Sequence, residues 1–159
     1  EEAKILVSTE PHEGFSYTVI LLKELADAEE WTLLRDRAQH HIDSPDPTVA
    51  IHAKRMLALG LAQSEEAADK NTAIEIYRSL TKDQSTEFTD AGNLAILLME
   101  VMEDDNLEEA KELVLEGIRK FPVKADYYSD IGQRIVEATG DRHFRQQIET
   151  VVAEGGKGD

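Results

Sequence analysis

Apolar side chains recur at intervals of three and four residues along most of the chain. Because an α-helix turns once in 3.6 residues, this spacing places the apolar side chains on one helix face. The segments are separated by breaker sequences, such as Ser-Pro-Asp-Pro at 44–47 and the acidic cluster at 103–106. Helices joined by such short turns lie antiparallel. The sequence therefore predicts an all-α fold of four antiparallel helix hairpins, over about residues 14–43, 47–82, 87–122 and 124–154.

The third and fourth hairpins repeat each other at a step of 34 residues. Seven positions keep an apolar or small residue: Leu94, Leu97, Leu98, Val101, Ala110, Val114 and Gly117 step to Tyr128, Ile131, Gly132, Ile135, Phe144, Ile148 and Val151. The second hairpin matches through Met56, Leu59 and Gly60, with one extra residue before its second helix. The first hairpin matches weakly. Since a single hairpin cannot bury both its faces, hairpins repeated in this way are expected to stack.

These spacings resemble the tetratricopeptide repeat, a 34-residue helix–turn–helix unit that often closes with proline, as at Pro122 here. The resemblance covers about nine tenths of the chain and is strongest over the third and fourth hairpins. It implies a right-handed superhelix, or α-solenoid, in a repeat domain spanning residues 14–154. Small residues such as Gly60, Gly132 and Ala110 are expected to let the two helices of a hairpin approach each other closely.

The resemblance also implies a concave groove lined by the first helix of each hairpin, which in the family binds an extended peptide or a helix. On this register the predicted groove residues are Val19, Ile20, Lys23, Lys54, Leu57, Ala58, Leu61, Ala95, Ile96, Met99, Met102, Asp126, Ser129, Asp130, Gln133 and Val136. One subclass of the family grips a peptide carboxylate with polar groove residues. This sequence has Gly92, Ala95, Ile96 and Met99 there, which favours an apolar or amphipathic segment instead.

The chain is strongly acidic, with 33 Asp and Glu against 17 Lys and Arg and a formal net charge of −16. Binding to duplex nucleic acid depends on Lys and Arg, so nucleic acid is not an expected partner, and neither is an anionic membrane. A partner with a basic face would be attracted. No apolar run approaches the roughly 18 residues that span a bilayer.

Catalytic and metal-binding motifs are absent from the sequence. The chain has no cysteine, which excludes disulfides, thiolate catalysis and cysteine-based zinc sites. None of its five histidines is paired with a carboxylate at a known metal-ligand spacing. No nucleophile, base and orienting group come together in a motif. We therefore expect no enzymatic activity, no cofactor and no bound metal.

The ends of the chain lie outside the predicted repeats. Residues 1–13 form an N-terminal segment with a short apolar patch at 5–7, which could also fill the groove, and the glycine-rich residues 155–159 predict a flexible tail. A cysteine-free composition fits the reducing cytoplasm, which is the expected location. The chain begins without Met, as a fragment lacking a targeting segment would.

Two functions fit these features. The first is a protein–protein interaction module, or adaptor, that binds an apolar or amphipathic segment in its groove. The alternative is a structural homo-oligomerisation domain, possibly one part of a larger multidomain protein, that uses the same surface for self-association. Light scattering separates them, because an adaptor is monomeric until its partner is added.

The repeat predicts that Leu97 lies in the core. Leu97→Asp should lower the free energy of unfolding by several kcal/mol, because it buries a charge without a partner. Thermal melting followed by circular dichroism measures this effect. An unchanged melting temperature would reject the core assignment.

Overall fold

The structure, a computed structural model, describes residues 16–101 and 103–155. These residues form eight α-helices and one short 3₁₀ turn, with no strand among them. The predicted all-α class is thereby confirmed. The N-terminal segment 1–13, Met102 and residues 156–159 of the predicted tail lie outside the described residues.

The chain divides into two compact units, Glu1–Leu80 and Thr81–Asp159. The sequence predicted one repeat domain over residues 14–154. The boundary falls at the polar stretch 81–86, which carries no large apolar side chain that could be buried against a neighbouring helix. Each unit is described below by itself.

Unit 1 contains α1 (Tyr17–Asp27), α2 (Trp31–Gln39), α3 (Pro47–Ala62) and α4 (Ala67–Thr81), the last of which ends at the first residue of unit 2. Helices α1, α2 and α3 pack against one another. Leu22, Leu34 and Ala53 are among the side chains that they bury. An ion pair of 2.8 Å between Arg35 and Asp69 connects α2 to α4.

Unit 2 contains α5 (Phe88–Val101), α6 (Asp104–Lys120), a 3₁₀ turn (Pro122–Lys124), α7 (Ala125–Thr139) and α8 (Arg142–Gly155). Helix α6 packs against α5, α7 and α8, and α7 also contacts α5 and α8. The α7/α8 hairpin is therefore stacked on the α5/α6 hairpin.

Short polar side chains fix the starts of several helices by accepting hydrogen bonds from free backbone N–H groups. Ser16 Oγ accepts from the N–H of Thr18 (3.1 Å), and Asp46 Oδ1 accepts from the N–H of Thr48 (2.9 Å). Pro47 occupies the first turn of α3, where its missing N–H costs nothing. At α5 the buried Asp90 reaches back to the N–H of Glu87 (2.9 Å). The breaker sequence 44–47 thus caps a helix through Asp46, whereas Glu103 in the acidic cluster 103–106 makes no such hydrogen bond.

Glycine permits close contact between neighbouring hairpins. In α6, a Cβ atom at Gly117 would lie 2.6 Å from Tyr128 Cδ1 in α7, closer than van der Waals contact allows. In α3, a Cβ atom at Gly60 would lie 2.7 Å from Arg35 Cγ in α2. Gly60 was predicted to allow close contact between the two helices of its own hairpin, and this prediction is wrong. Gly60 instead faces the preceding hairpin, because α3 lies against α2 at this position.

Tyr128 holds the two hairpins of unit 2 together. Its ring is fully buried against Gly117, and its hydroxyl donates a hydrogen bond to the carbonyl oxygen of Phe88 at 2.6 Å. The Tyr127 ring lies edge-on to the rings of both Phe88 and Tyr128, with centroids 5.3 Å apart in each pair. Burial raises the pKa of the Tyr128 hydroxyl above its usual range. The hydroxyl therefore remains a donor across the physiological pH range.

Gly117→Ala tests this contact by the sign of its effect. Helix propensity alone predicts a gain of about 1 kcal/mol in a helix interior. The clash with the Tyr128 ring predicts instead a net loss of about 1–3 kcal/mol, measured by urea denaturation.

Gly155→Ala is the matched control, because a Cβ atom there would meet only Pro122 Cβ, at an ordinary distance of 3.8 Å. A Gly117→Ala variant that is as stable as the wild type, or more stable, would contradict the close packing of Tyr128 on α6.

Candidate functional site

In unit 1, the predicted groove residues divide into accessible and buried positions. Lys23 and Lys54 are exposed, and Val19 and Ile20 are half-buried. The remaining three, all on α3, are buried: Leu57 (7% exposed), Ala58 (0%) and Leu61 (9%). The assignment of these three to an open groove is therefore corrected. Helix α3 packs against both α1 and α2, so apolar side chains on more than one of its faces belong to the core.

In unit 2 the outcome is similarly divided. Ile96 and Met99 are half-buried, and Gln133 is exposed beside Ser129 and Asp130. Ala95 (0% exposed) and Val136 (5%) are buried, so their assignment to the groove is also corrected. Helices α5 and α7 each contact two or more neighbouring helices, which cover these positions. Met102 lies outside the described residues.

An open groove of about 760 Å³ runs between α7 and α8. Its lining residues are Ser129, Asp130 and Gln133 from α7, and Arg145, Ile148, Glu149, Val152 and Ala153 from α8. Its apolar lining includes Val152, which is 37% exposed, and Ile148, which is buried with 8% exposed. The charged side chains of Asp130, Arg145 and Glu149 are exposed around it. This amphipathic lining makes the groove, called the α7/α8 groove below, the candidate functional site.

A tight turn sets the two walls of the α7/α8 groove. Gly140 has a φ of 71°, in the left-handed region that glycine adopts readily, and its N–H donates to the carbonyl oxygen of Val136 at 2.7 Å. Asp141 follows and caps α8 by accepting from the N–H of Phe144 at 3.0 Å. Within the hairpin, Gly132 lets Ile148 come close to α7, since a Cβ atom there would lie 2.5 Å from Ile148 Cδ1. This agrees with the predicted role of Gly132.

Lys111 anchors this turn to α6. Its ammonium group lies 2.9 Å from a carboxylate oxygen of Asp141 and 2.6 Å from one of Glu108, and 6.0 Å from the centre of the Phe144 ring. The hydrogen bond from Lys111 lowers the pKa of the Asp141 carboxyl, and the bond to Asp141 is the main cause of a raised Lys111 pKa. Both groups thus stay charged at neutral pH, and the start of α8 is tied to α6.

The α7/α8 groove lies one repeat beyond a surface that is covered in the same unit. A step of 34 residues carries Val114 to Ile148 and Gly117 to Val151. On α6, Tyr128 lies against Gly117, and a Cβ atom at Gly132 would be only 3.2 Å from Val114 Cγ1. Helix α7 therefore packs against Val114, the position that corresponds to Ile148 of the α7/α8 groove, and against Gly117, whose counterpart Val151 lies outside that groove.

The sequence placed one wall of this groove and missed the other. Ser129, Asp130 and Gln133 were predicted as binding residues, whereas the exposed α8 residues Arg145, Glu149 and Val152 were not. Ile148 was predicted as core, and its burial confirms this. A signal was nevertheless present. Asp130, Gln133 and Glu149 are polar where the preceding hairpin has Ile96, Met99 and Leu115. Such a change from apolar to polar at repeat-equivalent positions indicates a surface in contact with water.

A second groove, of about 320 Å³, lies between α6 and α8. Its lining includes Arg119, His143, Gln146 and Glu154 together with the apolar Leu115 and Val151. Among the described residues, no group of three or more His, Asp or Glu side chains could hold a metal ion. None of the described helices combines the length and the apolar content that crossing a bilayer requires.

Comparison of the chain with protein-family models, with curated proteins and with solved structures found no match. The roles of the site residues are therefore inferred from the residues of this chain alone.

The ion pair between Lys111 and Asp141 generates a pH prediction. The pKa of the Asp141 carboxyl is lower in the folded state than its value of about 4 in the unfolded state. The carboxylate therefore stabilises the fold at pH values above about 4, and this stabilisation is lost as the pH falls through the folded-state pKa. Asp141→Asn keeps the helix cap and removes the charge. It should therefore be less stable than the wild type at pH 7, with a difference that begins to shrink as the pH falls below about 4 and is lost once the pH is below the folded-state pKa.

Urea denaturation at several pH values measures this difference. Asp43→Asn removes the same charge from an exposed loop position and serves as the control. If the difference between Asp141→Asn and the wild type were the same at pH 7 and at pH 3, the ion pair would not be its cause.

Proposed function

We propose that this chain is a protein-binding module of the tetratricopeptide type, in which four helix hairpins continue into a right-handed superhelix. The 34-residue step between the third and fourth hairpins supports this proposal. So does the stacking of the α7/α8 hairpin on the α5/α6 hairpin within unit 2. The cysteine-free composition supports a cytoplasmic location for the module.

The observation that carries the proposal is the α7/α8 groove. One repeat earlier, the equivalent surface is a helix–helix interface, with Tyr128 against Gly117. The groove has an exposed apolar side chain at Val152 beside the buried Ile148, and polar side chains surround it. A surface with an apolar centre and a polar rim has the composition of protein–protein contacts. An amphipathic segment of another protein is the proposed ligand.

The accessible first-helix residues are additional proposed contacts. Ile96 and Met99 in unit 2, and Val19, Ile20, Lys23 and Lys54 in unit 1, keep exposed or half-buried side chains. Methionine adapts its shape to different apolar ligands, which suits Met99 to this use.

Capture of proteins from native lysate, read by mass spectrometry, tests the proposal. The wild-type chain should retain a partner protein from the lysate. Val152→Glu and Ile96→Glu/Met99→Glu should each retain at least about tenfold less of that partner, because each variant places a charge in an apolar contact. Val123→Glu is the control, since Val123 is 90% exposed and lies outside the α7/α8 groove.

All variants are first matched to the wild type by circular dichroism and thermal melting. If no protein is retained specifically by the wild type, the binding function is rejected. If sedimentation shows instead a dimer that Val152→Glu dissociates, the homo-oligomerisation function replaces it.

A further inference from the structure

We propose that the α7/α8 groove takes an α-helix of another protein that carries basic residues beside an apolar stripe. The helix lies beside Ile148 as α7 lies beside Val114, the equivalent position on the α5/α6 hairpin. This inference rests on the proposed protein-binding function and specifies the partner's shape and charge. Three observations support it: the template provided by α7, the charges on the rim, and the net charge of the chain.

The template gives the shape of the ligand. Helix α7, of 15 residues, lies on the α5/α6 hairpin with Tyr128 on Gly117 and Gly132 beside Val114. Ile148 is the equivalent of Val114 on the next hairpin and lines the α7/α8 groove, whereas Val151, the equivalent of Gly117, does not line it. A ligand beside Ile148 is a helix of about four turns, with apolar residues at spacings of three and four facing Val152, which is 37% exposed.

The rim gives the charge of the ligand. Asp130 and Glu149 are exposed on opposite walls of the groove, where the preceding hairpin has Ile96 and Leu115. Basic residues on both sides of the ligand's apolar stripe would meet these two carboxylates. Arg145 is the one cation among the lining residues, at the position equivalent to Lys111. The Lys111 ammonium forms ion pairs with the carboxylates of Glu108 and Asp141. By analogy, one acidic residue in the ligand would form an ion pair with Arg145.

The net charge favours a different protein over a second copy of this chain. Two chains that each carry a formal charge of −16 repel each other at long range. In a symmetric contact through this groove, two copies each of Asp130 and Glu149 would also be brought to one interface. A basic helix meets neither obstacle, and its association should weaken as salt screens the attraction.

The test uses an 18-residue synthetic peptide as the probe. It has the sequence of residues 122–139 with Asp126→Lys, Asp130→Lys and Glu137→Lys, three changes at exposed positions of the template helix. Fluorescence anisotropy of the labelled peptide is measured against the full chain. The basic peptide should bind at least about tenfold more tightly than the unchanged 122–139 sequence, and the advantage should diminish at about 0.5 M salt.

Two charge-reversal variants of the full chain locate the binding. Asp130→Lys/Glu149→Lys should weaken binding of the basic peptide about tenfold or more. Glu112→Lys/Glu116→Lys is the matched control. It changes the net charge equally at exposed positions of α6 that do not line the groove, and should weaken binding no more than about twofold at moderate salt. Circular dichroism and thermal melting confirm that both variants are folded.

Three results would overturn the inference. The first is an absence of binding by the basic peptide, as expected if another segment of this chain covers the groove. The second is an equal loss of binding in the two charge-reversal variants. The third is a concentration-dependent dimer that Asp130→Lys/Glu149→Lys alters. The lysate capture separates these results from failure of the proposed function, because a partner lost with Ile96→Glu/Met99→Glu would still show protein binding.

Discussion

The structure of unit 2 depends on the close contact between Tyr128 and Gly117. Only a residue without a side chain at 117 allows the buried ring to reach α6, and only this approach lets the hydroxyl bond the carbonyl oxygen of Phe88. The contact therefore connects α7 to both helices of the preceding hairpin. Lys111 and Asp141 then fix α8 beside α6. Packing at one position thus orients the whole α7/α8 hairpin, and with it the candidate site.

Local signals in the sequence were sufficient to predict the helices. Period, capping residues and breakers act within a few residues of each other, so the all-α class could be read directly. One turn was misplaced: it was predicted at 69–71, which lies inside α4. Burial depends on contacts between distant residues and could not be read in this way. Leu57 and Leu61 were assigned to a groove because one apolar stripe per helix was assumed. Helix α3 contacts two neighbours and buries more than one stripe. The Lys111–Asp141 pair, 30 positions apart, had no local signal.

The repeat also shows how a packing surface can become a binding surface. The same hairpin geometry occurs twice in unit 2. In the first copy α7 packs against Val114 and Gly117, and in the second the open groove is lined by Asp130, Gln133 and Glu149. Polar replacements keep the open surface compatible with water, while Val152 remains exposed as apolar surface that another helix can cover. The proposed function follows from this combination, because a wholly apolar face would favour aggregation and a wholly polar one would give a ligand little to bury.

Amide hydrogen exchange of the free, monomeric chain tests most directly whether the α7/α8 groove is open. An uncovered last hairpin has fewer buried contacts, so its amides should exchange faster than those of a helix packed on several sides. The expected result is that α8 exchanges faster than α6 in the free chain, and that α7 and α8 become more protected when the basic peptide is added. Equal protection of α6 and α8 in the free monomer would mean that the groove is already covered, and would contradict its proposed role in binding a partner.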